Sequence, residues 1–496
     1  MLASSARATS HVGFPHHGCH EPTTVEVPWS AGRVWRPGEV WGLTRSGKRV
    51  RALGMWTALA LVVGNMVGSG AYLLPSSLGR YGPISLLGWL VTAVGAVCLA
   101  LVFGRLGRIM PATGGPYTYT RVTLGDTSAF FVAWGYWVSV WVANAGIATA
   151  FVAYLTPFFP ALKASPVLSG AAAVGTIWLL TAVNLRGVRE AGILQLVTTV
   201  LKVLPLVVVG TLGLMAMNAA NLTPFHPGGG SGFSAITASA TLTLWAFLGL
   251  ESATIPAEQV RDPERTIPLA TVMGTVVTAA IYLLSSLAVM GVLSAPELSA
   301  SSAPFADAAT RIWGSAAGKI VAAGAALAAF GVLNGWVLVQ GQMPLAPARD
   351  GLFPRPFARL SRRDTPAFGL VLSSVLATVL VAANYTRGLV GLFTFTALLG
   401  TVTALLAYVG SSLGQILLIL REPARFGGKG ARRAVVISAV AFVYSIWAIA
   451  GAGWDVVFWG AVLLAMGMPV YLSSESRRAS RAMDASATGA PASARE

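Results

Sequence analysis

Gly64-Asn65-Met66-Val67-Gly68-Ser69-Gly70-Ala71-Tyr72-Leu73-Leu74-Pro75 interrupts an apolar run that extends from about residue 54 to 78. The run is long and apolar enough to cross a hydrocarbon core of about 30 Å as a helix. Two glycines around a serine at mid-membrane depth lower helix stability and permit non-helical backbone. Freed backbone groups cost several kcal/mol each in hydrocarbon unless they line a cavity or are buried in protein. The stretch is therefore either a ligand site or a place where Gly68 and Gly70 let a neighbouring helix approach. A second interruption favours the site. Leu244-Trp245-Ala246-Phe247-Leu248-Gly249-Leu250-Glu251-Ser252-Ala253 puts a central glycine and an ionisable residue in the sixth apolar segment, five segments later. Interruptions at corresponding places in two five-helix halves point to an inverted-repeat transporter with its substrate at the midplane. N–H groups at the start of a half-helix attract a carboxylate and unwound carbonyls attract an ammonium, so a zwitterionic amino acid fits both.

The surrounding chain agrees. Of 496 residues, 55% are apolar and only 10% charged, against about 25% charged in soluble domains, which excludes an ordinary globular protein. Apolar segments lie near 54–78, 84–107, 127–156, 166–184, 193–217, 234–258, 268–294, 316–347, 367–384, 388–420, 434–452 and 455–473, predicting an all-α integral membrane protein with 12 transmembrane helices. The formal charge of +16 does not indicate nucleic acid, because the basic residues lie between apolar segments with no aromatic-interleaved stripe. Between residue 51 and the C-terminal tail there are 23 Lys and Arg. Numbering the loops alternately puts 17 on one side and five on the other, with Lys202 inside a segment. The positive-inside rule then predicts a multi-pass inner-membrane protein with both termini cytoplasmic; contact with anionic lipid is expected only in the generic sense.

Residues 1–51 lack apolar periodicity and read as a disordered cytoplasmic extension, or as the product of a mis-assigned start; residues 474–496 read as a disordered cytoplasmic tail. His16, His17, Cys19 and His20 crowd into one stretch without the separated ligand pairs of a folded zinc site. Cys98, in an apolar segment, and Cys19, in the tail, are expected as free thiols. No metal or cofactor is expected. His226 has no acid near it for a triad, and no phosphate-binding glycine loop precedes a Lys-Ser or Lys-Thr pair, so neither hydrolysis nor ATP-driven pumping is supported.

The sequence resembles the amino acid–polyamine–organocation superfamily from about residue 52 to 473, and within it the bacterial basic amino acid/polyamine antiporters, the branch of the arginine/agmatine antiporter. The resemblance rests on Gly64-Asn65 with Gly68-Ser69-Gly70 and Leu73-Leu74-Pro75, Gly88-Trp89-Leu90, Gly114-Gly115-Pro116-Tyr117, Trp245 through Glu251-Ser252, Pro263 to Pro268, Gly335-Trp336 with Gly341-Gln342, and Asp350-Gly351-Leu352-Phe353-Pro354. It implies a LeuT-type 5+5 inverted repeat with broken helices 1 and 6 over residues 52–420, two peripheral helices over 421–473, and a homodimer. It also implies that Ser69 and Gly70, beside Asn65, meet the substrate carboxylate, while carbonyls of Met66, Trp245 and Leu248 meet the α-amino group. Trp336 and Asn144 would take the distal cation, Tyr136 and Trp245 would act as aromatic gates, and Glu251 would link binding to pH.

The residues give a partly independent reading. Glu251 is the only carboxylate near the middle of any segment, and burying a charge there costs at least about 2.5 kcal/mol, so it is either functional or pinned by structural hydrogen bonds. A tryptophan such as Trp336 on an apolar helix is more often core than ligand, although a cation over its face is worth about 0.5–2 kcal/mol. The amide of Asn144 needs a partner, which is either substrate or a neighbouring helix.

Two positions depart from the family pattern. Lys202 lies inside the fifth segment, where the arginine/agmatine antiporter has a small apolar residue; a desolvated lysine can exchange a proton, resemblance to other branches of the superfamily implies a fixed cation in place of sodium, and snorkelling or an unrelated role is the third reading. In the tenth segment the family's hydroxyl contact aligns with Ala397, leaving Thr394 or Thr396 to compensate, and Val140 and Ile147 make the distal pocket apolar. The expected activity is secondary active amino-acid transport by alternating access, in its sharpest form basic amino acid/polyamine antiport with a substrate such as arginine. The alternatives are a proton-coupled permease for neutral amino acids and a transporter-fold sensor.

Overall fold

Apolar runs in this chain fold as helices because, away from water, a helix satisfies every backbone N–H and C=O within its own segment. The computed structural model describes residues 27–28, 34–35, 53–111, 114–186, 192–255, 257, 260–363, 365–428 and 430–476. The chain divides into two units, residues 1–47 and 48–495. In the first, an antiparallel pair joins β1 (Val27–Pro28) to β2 (Val34–Trp35). The remainder of the expected N-terminal extension, its His16, His17, Cys19 and His20 cluster, and the tail after 476 lie outside the described residues.

The second unit is helical. In chain order its helices are α1 (Met55–Met66), α2 (Ser69–Gly79), α3 (Ser85–Ile109), α4 (Pro116–Leu155), α5 (Ala161–Ala164), α6 (Pro166–Leu185), α7 (Gly192–Met215), α8 (Gly232–Leu244), α9 (Pro263–Val292), α10 (Ala295–Ala300), α11 (Pro304–Trp313), α12 (Ser315–Gln342), α13 (Leu345–Arg349), α14 (Ala367–Asn384), α15 (Gly388–Arg421), α16 (Pro423–Phe426), α17 (Ala431–Gly451) and α18 (Trp454–Ala465). Among the described residues, ten stretches are long and apolar enough to cross a membrane. One of them, residues 367–421, is 55 residues long. A single helix of that length would reach about 80 Å, and it is instead two helices, α14 and α15, meeting at the turn Tyr385–Arg387. Within α7, Lys202–Met215 is a shorter apolar stretch.

One expectation needs correction at its boundary. The third apolar segment, read as 127–156, belongs to a helix that begins at Pro116 and kinks at Gly125, whose φ of 85° interrupts the helical backbone. Pro116 starts it well because the first helical position needs no N–H donor.

α4 and α15 run against each other along a seam of small residues. A Cβ on Gly135 would stand 2.9 Å from the Thr403 carbonyl, and one on Gly410 or Gly414 would meet the Thr120 or Thr123 hydroxyl at 2.9 and 2.6 Å. Such close backbone approach is how helices associate where apolar burial gives no drive. Behind the second interruption, Trp89, Phe247 and Tyr282 form a buried aromatic triangle with centroids 5.3–6.1 Å apart. The triangle fixes the wall against which both interruptions rest.

Candidate substrate site between two broken helices

Both interruptions are breaks in the helices. α1 ends at Met66, Val67 and Gly68 leave the helical region, and α2 starts at Ser69. α8 ends at Leu244; one short turn, Trp245–Phe247, follows, and Leu248 is extended with ψ 133°. Gly249 then takes φ 101°, in the left-handed region that favours glycine.

The two breaks touch. Asn65 Nδ2 donates to Ser252 Oγ at 2.7 Å, and the Ser252 hydroxyl donates to the Gly249 carbonyl at 2.5 Å. Tyr282, on α9, donates to the carbonyls of Met66 at 2.7 Å and Ala246 at 3.2 Å, bridging both. These bonds answer the question the sequence raised, namely where the backbone groups freed by each break find partners.

Between them lies a cavity lined by Asn65, Met66, Gly68, Ser69 and Gly70 of the first break and Trp245, Leu248 and Glu251 of the second. Tyr136, Ser139, Ala143 and Ile147 of α4, Val332 and Trp336 of α12, and Ala404 of α15 complete its wall. Its volume is about 30 Å³, room for roughly two water molecules. No side chain caps the start of α2 at Gly68, and Gly68, Ser69 and Gly70 line the cavity, so an uncapped half-helix start, which attracts anions, stands at its wall.

Trp245 roofs the cavity because the residues around it are small. A Cβ on Gly70 would stand 2.7 Å from Trp245 Cδ1, and one on Gly400 would stand 2.8 Å from its Cζ3. The ring meets Phe393 edge-on at a centroid distance of 6.3 Å. Glu251, 1% exposed, is held on both oxygens. Tyr136 donates to Oε1 at 2.6 Å and Tyr408 to Oε2 at 2.7 Å.

Nine of the eleven residues singled out from sequence line this cavity; Asn144 and Lys202 do not. Asn144 is fully buried and donates to Gln340 Oε1 at 2.7 Å. Gln340 in turn donates to Ser374 Oγ at 2.8 Å, so in this structure the Asn144 amide serves contact between helices. Lys202 is 2% exposed, and its carbonyl accepts from the Tyr72 hydroxyl at 2.5 Å. Its Cε lies 3.5 Å from where a Cβ on Gly331 would stand. Thr394 donates to the Val390 carbonyl and pairs with Ser77, while Thr396 donates to carbonyls of its own helix. Neither hydroxyl takes the place that Ala397 leaves empty of polar groups.

Tyr282 and Tyr408 are not among the residues the sequence points to, and Ser252 appears there only as part of the second interruption, without a role. Interior tyrosines on apolar helices read as packing, and their partners lie far away in the chain: 216 residues for Tyr282 and Met66, 157 for Tyr408 and Glu251. The signal that existed was the polar atom itself, since a buried hydroxyl needs a partner.

The model of a family described as "Amino acid permease" matches residues 53–473. The chain belongs to the amino acid permease family. Among curated relatives, the putrescine transporter PotE of Escherichia coli strain K12 is 31% identical over 420 residues, covering 84% of this chain and 95% of that protein. A putative arginine/ornithine antiporter of Bacillus subtilis is 32% identical, covering 86% and 97%. The cadaverine/lysine antiporter of Escherichia coli strain K12 is 33% identical, covering 67% and 74%. Among solved structures, the Eremococcus coleocola manganese transporter matches 87% of this chain and 99% of its own with a TM-score of 0.54 at 12% identity, a likeness of fold alone.

Proposed function

We propose that this permease is a basic amino acid/polyamine antiporter working by alternating access. The observation that carries the reading is the meeting of two broken helices at one buried cavity, with an uncapped half-helix start on one side and Glu251 on the other. A substrate carboxylate would lie at Ser69 and Gly70 and an α-amino group at the carbonyls of Met66, Trp245 and Leu248. A distal cation would lie over Trp336, Tyr136 and Trp245 would gate, and Glu251 would supply the counter-charge. A cavity of about 30 Å³ is too small for arginine, so loading requires the half-helices or the Trp245 roof to move. The relatives, named as a putrescine transporter, a putative arginine/ornithine antiporter and a cadaverine/lysine antiporter, support the same substrate class.

The fuller architecture belongs to this proposal: twelve membrane spans, a 5+5 inverted repeat over residues 52–420, peripheral helices over 421–473, both termini cytoplasmic in the inner membrane, and a homodimer. A second reading, proton-coupled uptake of neutral amino acids, is favoured by Lys202, by Ala397 and by the apolar wall of Ala143, Ile147, Val332 and Ala404. Proteoliposomes separate the two. Vesicles loaded with unlabelled arginine or putrescine are expected to take up labelled arginine regardless of an imposed proton gradient. Gradient-driven leucine uptake into empty vesicles, without arginine exchange, would overturn antiport and establish the permease.

A further inference from the structure

Away from the transport cavity, a cleft of about 700 Å³ is lined by residues of α3, α9, α15 and α17. Its polar lining is Arg105, Arg108, Arg265 and Arg433 with Glu264 and Gln415, four positive charges to one negative. Among the described residues none of the four arginines is in an ion pair. Arg105 donates from Nη2 to the Phe426 carbonyl at 3.1 Å, while its buried Nε has no partner. Gln415 is 1% exposed and its Oε1 has no partner either. Both atoms belong to residues that line the cleft, where a ligand would complete their hydrogen bonds.

Electrostatics specifies the sign of that ligand. α17 starts at Ala431 after Gly430, with no acidic residue in its first turn and with Arg432 and Arg433 there instead. A helix start already carries partial positive charge, and placing arginines on it is unfavourable unless an anion sits nearby. Arg105 and Arg108 come from the last turns of α3, so three helices bring positive charge to one place.

The rest of the lining specifies the source. Leu101, Leu269 and Ile437 continue the cleft along its apolar side. The same faces of α9 and α17 expose Leu269, Met273 and Val276, and Val436, Val440 and Val443, as helices do towards acyl chains. A basic pocket between spans that opens onto an apolar outer face has the polarity of a phospholipid, headgroup end and chain end.

We infer that this cleft binds an anionic phospholipid, its phosphodiester among Arg105, Arg108, Arg265 and Arg433, a headgroup hydroxyl donating to Gln415, and its chains along α9 and α17. The site is separate from the transport cavity and shares no residue with it.

The test uses the full-length purified protein, delipidated in detergent and mixed with phosphatidylglycerol and phosphatidylcholine in equal amounts, with retained lipid counted by native mass spectrometry. Wild type is expected to retain phosphatidylglycerol several-fold over phosphatidylcholine. Each arginine removed is expected to reduce that preference about fivefold, so R105Q/R433Q loses it. Because Arg105 is partly buried, R265Q/R433Q, at two exposed positions, is the variant that keeps the fold, and it should lose most of the preference with unchanged thermal unfolding in detergent. Equal retention of the two lipids by wild type, or an unaltered preference in R265Q/R433Q, overturns the inference. Inorganic phosphate in large excess over the protein is expected to leave phosphatidylglycerol in place; displacement by phosphate alone would make this a soluble-anion site and overturn the lipid assignment.

Discussion

Glu251 is clamped by Tyr136 and Tyr408 on its two oxygens and faces the cavity between them. Glu251→Gln keeps the size of the side chain and removes its charge, so the fold should persist while the counter-charge for a cationic substrate is lost. Arginine affinity measured by calorimetry is expected to fall at least tenfold, a charge-assisted contact being worth about 1.5–3 kcal/mol; wild-type affinity would remove the residue from substrate binding. Trp336→Ala should weaken arginine about two- to thirtyfold, the range of a cation–π contact of about 0.5–2 kcal/mol, and weaken alanine less. Equal losses for both amino acids would assign Trp336 to packing. At this scale the sequence was legible where a residue type was out of place, as with a carboxylate in mid-span. It was not legible where the residue looked at home: Tyr408 is 157 positions from Glu251, and nothing local distinguishes it from any buried tyrosine. Asn144 shows the converse, since an amide in an apolar helix demands a partner without saying which, and Gln340 supplies one here.

The breaks are properties of elements, and glycines set their geometry. Gly70 lets α2 pass Trp245, where an added Cβ would lie 2.7 Å from the indole. Gly70→Ala is therefore expected to displace the roof of the cavity, with substrate binding lost and stability reduced by about 1–3 kcal/mol in thermal unfolding; unchanged binding would show that the indole does not close the site. The sequence revealed both breaks, because glycine beside a polar residue at mid-depth conflicts with a continuous helix. It did not reveal Tyr282, whose hydroxyl bridges Met66 and Ala246 across the two breaks, because that contact exists only once α9 has packed behind them. The short helix α10 gives a pH-dependent case outside the spans. Arg311 and Ser294 hold the Glu297 carboxyl down at about 2, from an ordinary value near 4.5. A carboxyl lowered on folding stabilises the protein above its unfolded value, and the contribution is lost as pH falls through the folded one. Because the pair is half exposed, at 49% and 44%, its worth is at most about 1 kcal/mol. Wild type should unfold at a slightly higher temperature than Glu297→Gln at pH 7, with the gap closing between about pH 4.5 and 2; a gap independent of pH would assign the effect to packing.

For the whole molecule, the hydrophobic pattern located the helices and the two interruptions located the breaks that line the cavity, because both follow from what a bilayer forbids. The pattern could not show how tightly the cavity closes or which polar groups face it, since these depend on packing between helices hundreds of residues apart. Lys202 poses the remaining question of coupling. It stands outside the cavity, yet its carbonyl is bonded by Tyr72, a residue of the half-helix whose first turn, at Ser69 and Gly70, lines the cavity. Tyr72 is held in turn by Tyr154, whose hydroxyl donates to the Tyr72 carbonyl at 2.6 Å. Movement of α2 during alternating access therefore has to carry or break the link to α7, and a charge on Lys202 would bias which arrangement is stable, as any group with different interactions in two states shifts their balance. If Lys202 exchanges a proton in the cycle, Lys202→Ala should abolish the response of net uptake to a pH gradient while arginine exchange in preloaded vesicles continues at a comparable rate. If it is a fixed cation that only organises the first break, the same variant should lose exchange and gradient-driven uptake together, with Lys202→Arg restoring exchange. A variant with unchanged gradient dependence and unchanged exchange would exclude both roles and leave the lysine a tolerated passenger in α7.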